Sequence, residues 1–386
     1  YCNAVMEPWD GPAAIAAFGG RWIIGGMDRH GLRPMRYTIT GDGLLIAGSE
    51  AGMVKVDETT LLEKGRLGPG EMIAVDLIDG KLYRDHEIKE KLADSQPFEK
   101  WVKRSTKLAN LPAAGDAEPS RMDKDMLRRR QVAIGWTMEE IELILHPMAE
   151  GGKEAIGSMG DDTPIAVLSE CYRGLHHFFR QNFSQVTNPP IDSLRERQGM
   201  TLATRLGNLG NVLDEDANQL DFLLLDSPIL TTAAFEAMRR RMAKKATDVD
   251  CTFDAAGDDK ALSDAITRIQ IEAETAVRGG CAHVVLTDTA ANKDRATIPM
   301  ILAVGAVHTH LVRQNLRTFT SLNVRSAECQ DVHYVAVLIG VGATTINPYL
   351  ALETIGDRHR RNLFGDLTLA QCVERYVKAM DDGLLK

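Results

Sequence analysis

The apolar residues fall into three regimes along the chain. Up to about residue 85 they form short runs broken at glycine. Ala13 to Met27 (AAIAAFGGRWIIGGM) is two apolar runs split by Gly19-Gly20, and Tyr37 to Ala47 repeats the arrangement around Gly41-Asp42-Gly43. Met72 to Val75 and Leu82-Tyr83 flank Asp79-Gly80 in the same way. Paired runs around such turns predict β-hairpins and little helix. From about 86 to 150 the period lengthens: Asp94 to Leu111 and Asp123 to Leu145 carry charge-rich helical spacing, parted by the loop PAAGDAEPS from Pro112 to Ser120. Beyond 151, apolar runs at Ile165 to Leu168, Phe222 to Leu225, His283 to Leu286, Phe319 to Val324 and Val332 to Ile339 read as strands. They alternate with helical stretches at Thr231 to Lys245, Asp258 to Arg278 and Pro299 to Gln314. That alternation predicts an α/β fold with parallel strands and helical crossovers, leaving a barrel and a doubly wound sheet both open. The regimes set the expected domains: 1–85, β-rich; 86–150, a helical connector; 151–386, α/β.

The most constrained stretch is Phe178 to Glu196 (FFRQNFSQVTNPPIDSLRE). Phe178, Phe179 and Phe183 open it like a helix, and Pro189-Pro190 then forbid helix and push Asn188 towards an extended conformation. Thr187-Asn188 therefore sits on a rigid turn, and Asp192 or Ser193 can cap a new start.

Composition narrows the classes. Over 386 residues, 44% are hydrophobic and 26% charged, as in an ordinary soluble domain. The net charge of −9 argues against a general nucleic-acid binder. The six cysteines form no CxxC pair, which argues against a zinc knuckle or iron–sulfur run and suits reduced thiols in the cytoplasm. No apolar run approaches the roughly 20 residues needed to span a bilayer. Individual motifs are modest. His30 beside Asp28 reads as a turn pair, and Arg128-Arg129-Arg130 as a solvated helical face. Asp161-Asp162 in a glycine-rich turn invites a metal-dependent enzyme but brings no further ligands. His308 and His310, two apart on a helix, point away from each other and cannot share a metal. Gly207 to Asn211 lacks a dinucleotide fingerprint. Ile339 to Ala343, after an apparent strand, is placed as a phosphate-gripping loop would be.

Together the motifs resemble one family. Phe178 to Glu196 is similar to a signature of the central region of glutamate synthase large subunits. Met159 to Asp162 (MGDD), Val307 to Arg317 (VHTHLVRQNLR) and Leu338 to Ala351 (LIGVGATTINPYLA) resemble it in the same order. Met6 to Ala13 (MEPWDGPA) and Met27 to Tyr37 (MDRHGLRPMRY) resemble the closing part of that enzyme's amidotransferase domain. The resemblance implies the β-rich remnant of an N-terminal-nucleophile amidotransferase domain, a connector, and a degenerate α/β barrel-like central domain. It also implies an internal piece of a longer chain, starting at Tyr1 without methionine.

The family makes two glutamates from glutamine, 2-oxoglutarate and reductant, in nitrogen assimilation. By resemblance this segment links the glutaminase and FMN synthase sites, helps form an ammonia channel, and carries no catalytic residue, cofactor or metal of its own. Cys2 stands outside the nucleophile's context. The whole enzyme would use FMN, iron–sulfur clusters, and FAD and NADPH on a small subunit. Its partners would be the FMN synthase domain, the rest of the amidotransferase domain and that small subunit, with no nucleic acid or membrane. An ammonia route favours apolar and neutral polar walls, because carboxylates favour ammonium. Met159, Thr187 and Asn188 suit such a lining. The competing expectation is a non-catalytic barrel-like binding or structural module, with a ligand at the Gly340-Val341-Gly342 loop.

Overall fold

The computed structural model describes residues 2, 11–110, 122–155, 164, 166–168, 170, 174–179, 200–214 and 217–386. They form two compact units, divided between Val102 and Lys103. In the first unit the strands are β1 (Ala14–Phe18), β2 (Trp22–Met27), β3 (Arg36–Thr40), β4 (Leu45–Gly48), β5 (Leu61–Arg66), β6 (Met72–Asp76) and β7 (Lys81–Tyr83). Helices α1 (Asp85–Ala93) and α2 (Phe98–Val102) follow. All three expected hairpins are present, as antiparallel β1–β2, β3–β4 and β6–β7 pairs. They are distributed over two sheets, ordered β1-β2-β6-β7 and β4-β3-β5. Arg21 grips the fully buried Asp76 carboxylate through Nε and Nη2. Its hydrogen bonds outweigh burial and hold Asp76 down at about 2. The expected helix from Asp94 starts earlier instead, and Pro97 divides the run: α1 ends at Ala93 and α2 resumes at Phe98.

The second unit contains β8 (Thr106–Lys107), α3 (Lys124–Ala133), the short α4 (Met138–Glu140), a π-helical turn at Ile141–Leu145, and α5 (His146–Gly151). Then come β9 (Thr204–Leu206), β10 (Leu223–Leu225), α6 (Thr232–Met242), β11 (Ala246–Asp250), β12 (Thr252–Asp254), α7 (Ala261–Arg278), β13 (His283–Thr287) and β14 (Arg295–Thr297). The chain continues through α8 (Met300–Arg313), β15 (Ser321–Arg325), α9 (Val332–Gly340), β16 (Thr345–Asn347), α10 (Tyr349–Arg360) and α11 (Leu369–Leu384). Its centre is a parallel sheet ordered β11-β13-β15-β16. Val284, Leu286, Leu322 and Val324 project from one face into a core shared with α7, α8 and α9. From the other face Val285 meets Phe235, Met238 and Met242 of α6. With both faces covered, β13, β15 and β16 are buried at almost every position, as parallel strands are, while the edge strand β11 is partly exposed.

Val332 to Ile339, expected as a strand, is helix α9, capped by Asp331, whose side chain accepts the Tyr334 N–H. Ile339 to Ala343 consequently follows a helix and leads into the amino-terminal end of β16, whereas ligands gather at carboxyl ends of parallel strands. The phosphate-loop expectation fails on that geometry. Gly342 there has φ of +119° and its carbonyl accepts from Arg317. Among the described residues, no helix is long and apolar enough to cross a membrane.

Candidate functional site

The carboxyl end of β15 runs into the loop Ser326 to Asp331 (SAECQD), and this loop floors the site. It is pinned from below by Asp288, at the end of β13, which is fully buried. The Asp288 carboxylate accepts from Ser326 Oγ at 2.6 Å and from the Ala327 N–H at 2.9 Å. Burial raises its pKa, opposed by these donors and by the Tyr349 hydroxyl. Tyr349 in turn accepts from Arg130 at 2.6 Å, and Arg130 also donates to the Thr289 carbonyl at 2.7 Å. The sequence placed Arg130 on a solvated helical face; instead it reaches from α3 across to the sheet, because a guanidinium can serve several acceptors at once.

Above the loop lies a cleft of about 90 Å³. Glu328, Gln330, Asp331 and Tyr334 line it from the loop and α9, Glu140 and Ile144 from α4 and the π-helical turn, and His176 and His177 from a 3-10 turn at Leu175–Phe178. Glu328 is only 7% exposed. Its Oε2 accepts from the Tyr334 hydroxyl at 2.5 Å and Oε1 from the Met300 N–H at 3.2 Å. Burial nevertheless dominates and pushes its pKa up to about 7. Burial also drives His176 down to about 4, which makes the imidazole neutral at physiological pH. Two buried polar atoms at the cleft have no hydrogen-bond partner among the described residues: Gln330 Nε2 and His176 Nδ1. Gly174 permits the His176 ring its place, since a Cβ there would stand 2.5 Å from Nδ1. Such a cleft can hold a small polar molecule, and a proton at Glu328, but among the described residues no group of three or more His, Cys, Asp or Glu side chains is arranged to hold a metal ion.

None of these cleft residues was singled out from sequence. The available signal was an acid- and amide-rich loop directly after the Phe319 to Val324 run. Of the predicted lining, Met159, Thr187 and Asn188 lie outside the described residues, as do Asp161 and Asp162. From the Phe178 to Glu196 corner only Phe178 and Phe179 are described, half-exposed at the end of the 3-10 turn. His308 accepts from Arg317 Nε at 3.0 Å, whereas His310 pairs with Glu274 at 2.6 Å, so the two imidazoles serve different partners. In the first unit Asp28 accepts the backbone N–H groups of Ala13 and His30, which makes it a turn brace. Burial opposes ionisation there, and the donors still hold Asp28 below the usual carboxylate range.

Comparison with known proteins gives this frame a family. Residues 129–386 match the family model "Glutamate synthase central domain", and residues 1–101 match "Glutamine amidotransferases class-II". The chain is 68% identical over its whole length to the glutamate synthase [NADPH] large chain of Azospirillum brasilense, covering 26% of that protein. It is 39% identical to the chloroplastic ferredoxin-dependent glutamate synthase of Spinacia oleracea and 37% identical to the glutamate synthase [NADPH] large chain of Bacillus subtilis. The chain thus spans about a quarter of the length of the curated relatives it matches. It belongs to the glutamate synthase large-chain family.

Proposed function

From that membership we propose that the chain is the segment of a glutamate synthase that joins the glutaminase and synthase sites, is inactive alone, and helps enclose the ammonia route between them. One observation carries the reading: a class-II amidotransferase segment and a glutamate synthase central domain follow each other in one chain. In this reading residues 1–85 complete the amidotransferase domain, 86–150 connect, and 151–386 form a degenerate barrel-like central domain that binds no flavin. The parallel strands β11, β13, β15 and β16, adjacent in sequence order with a helix between successive strands, support the barrel ancestry. The whole enzyme would form two glutamates from glutamine, 2-oxoglutarate and reductant in the cytoplasm. FMN and iron–sulfur clusters would sit elsewhere in the polypeptide, and FAD and NADPH on a small subunit. The name of the Azospirillum relative favours NADPH as donor.

Met159, Thr187 and Asn188 are the proposed lining, being apolar or neutral and so giving ammonium no counter-charge. The test is stoichiometric. In the intact enzyme, Asn188→Ala and Met159→Ala should each raise glutamine hydrolysed per glutamate formed severalfold. Unchanged coupling in both variants would refute the lining.

A further inference from the structure

The cleft over the Ser326 to Asp331 loop has features that bridging two distant sites does not require. It stands at the carboxyl end of a central parallel strand, where α/β folds bind ligands. One wall includes Ile144 of a π-helical turn, a local geometry that recurs at functional sites. Its floor carries Gln330, 8% exposed, with Nε2 unpaired. A buried amide N–H without an acceptor is unfavourable, so the site is built to receive one.

The open valences define what fits. The acidic groups already have donors: Glu328 accepts from Met300 and Tyr334, Asp331 from the Tyr334 N–H, and Glu140 from the Thr137 N–H. Buried and without a partner among the described residues are a donor, Gln330 Nε2, and the ring nitrogen His176 Nδ1, which accepts when the proton is on Nε2. An anion would meet three carboxyl side chains, Glu140, Glu328 and Asp331. A cation would meet the N–H groups of Gln330. The complement is an uncharged molecule with one carbonyl acceptor and one N–H donor. Ile134, Trp136 and Ile144 offer an apolar wall for a short alkyl end. A cleft of about 90 Å³ has room for a small molecule of about four heavy atoms.

We propose that this cleft is a binding site for a small uncharged primary amide, its carbonyl oxygen held by Gln330 Nε2, its NH₂ by His176 Nδ1 and its alkyl end against Trp136. The site stands whether or not residues 159–188 line an ammonia route. Acetamide, acetate and acetamidinium are near-isosteric and differ in charge, so they test it on the intact, full-length polypeptide. Saturation transfer to the ligand methyl group reads occupancy, and Trp136 fluorescence, judged against Trp136→Phe, reads location. Acetamide should bind in the millimolar range, as expected for so small a ligand. The two ions should bind at least about tenfold more weakly, as should acetamide to Gln330→Glu and Gln330→Met. Acetate or acetamidinium binding as well as acetamide overturns the proposal, as does acetamide binding that both variants leave unchanged, or no binding by any probe. The three-ligand comparison on the unaltered protein needs no variant to fold.

Discussion

Glu328 presents a carboxyl group that the fold holds against its own ionisation. Burial raises its pKa from 4.5 to about 7, Asp288 adds to the rise, and the Tyr334 hydroxyl and Met300 N–H oppose it. Between those values the folded chain keeps a proton that the unfolded chain has released. The stabilisation is full below about pH 4.5, declines as the pH rises, and is gone above about 7. Its span is about 3 kcal/mol. Glu328→Gln should therefore flatten the stability curve, measured by urea unfolding in steps from about pH 5 to about pH 8. An unchanged slope would place the titration elsewhere. Asp288 acts differently, as a pin beneath the loop. Asp288→Ala strands the Ser326 hydroxyl and the Ala327 N–H and should cost about 3 kcal/mol or more, while Asp288→Asn, which keeps one acceptor, should cost about 1 kcal/mol in thermal unfolding. Neither residue was legible in the sequence, because an isolated Asp after a strand and a Glu in a short loop look solvated until the sheet closes over them. Arg130 was misjudged for the related reason that the nearby acids Asp123, Asp125, Glu139 and Glu140 suggested a solvated helical face.

At the scale of elements, the sequence revealed those with a strong period and hid those without one. Helix α8 buries Met300, Ile301, Ala303, Val304, Val307 and Leu311 along a helical stripe and was read directly. Helix α9 is apolar almost throughout, and burial against the core removes the polar stripe that separates a helix from a strand; the cap at Asp331 was the remaining clue. Strands β11 and β16 escaped because one is mixed with aspartates and the other has only three residues. The capping box of Thr368 and Gln371 marks the start of α11 and was a missed sequence signal. Near its end, α11 passes so close to α9 that a Cβ on Gly383 would stand 2.6 Å from Val332 Cγ2. On Gly356 of α10 the same atom would meet only the guanidinium end of Arg360, at 3.6 Å, an ordinary contact. Both changes to alanine gain helix propensity, so the pair isolates the contact. Gly356→Ala should stabilise by about 0.5–1 kcal/mol. Gly383→Ala should destabilise by about 1–3 kcal/mol. Equal shifts in urea midpoint would remove the close crossing.

At the scale of the whole molecule, the family was legible because its motifs are spread collinearly from Met6 to Ala351, so no single ambiguous turn had to carry the assignment. The lining could not be weighed the same way, since a route through a protein is a property of shape and leaves no period in sequence. The two units differ sharply in how much core each holds. Residues 103–386 enclose a large cluster around the parallel sheet and a second one under α6. In the first unit the buried cluster comprises Met35, Leu67 and Ile73, while β1 is exposed at every position, with Ile15 at 45% and Phe18 at 70%. An edge strand with apolar residues facing outward calls for a covering surface. Ala74 and Ile88 are the other buried apolar side chains described there, so the unit encloses little core for its length. Residues 103–386 expressed alone should therefore unfold in one cooperative urea transition, whereas residues 11–102 alone should show none and should bind a hydrophobic dye. A sharp transition in the smaller piece would mean that its sheets are self-sufficient, and that β1 is exposed for a reason other than awaiting a partner.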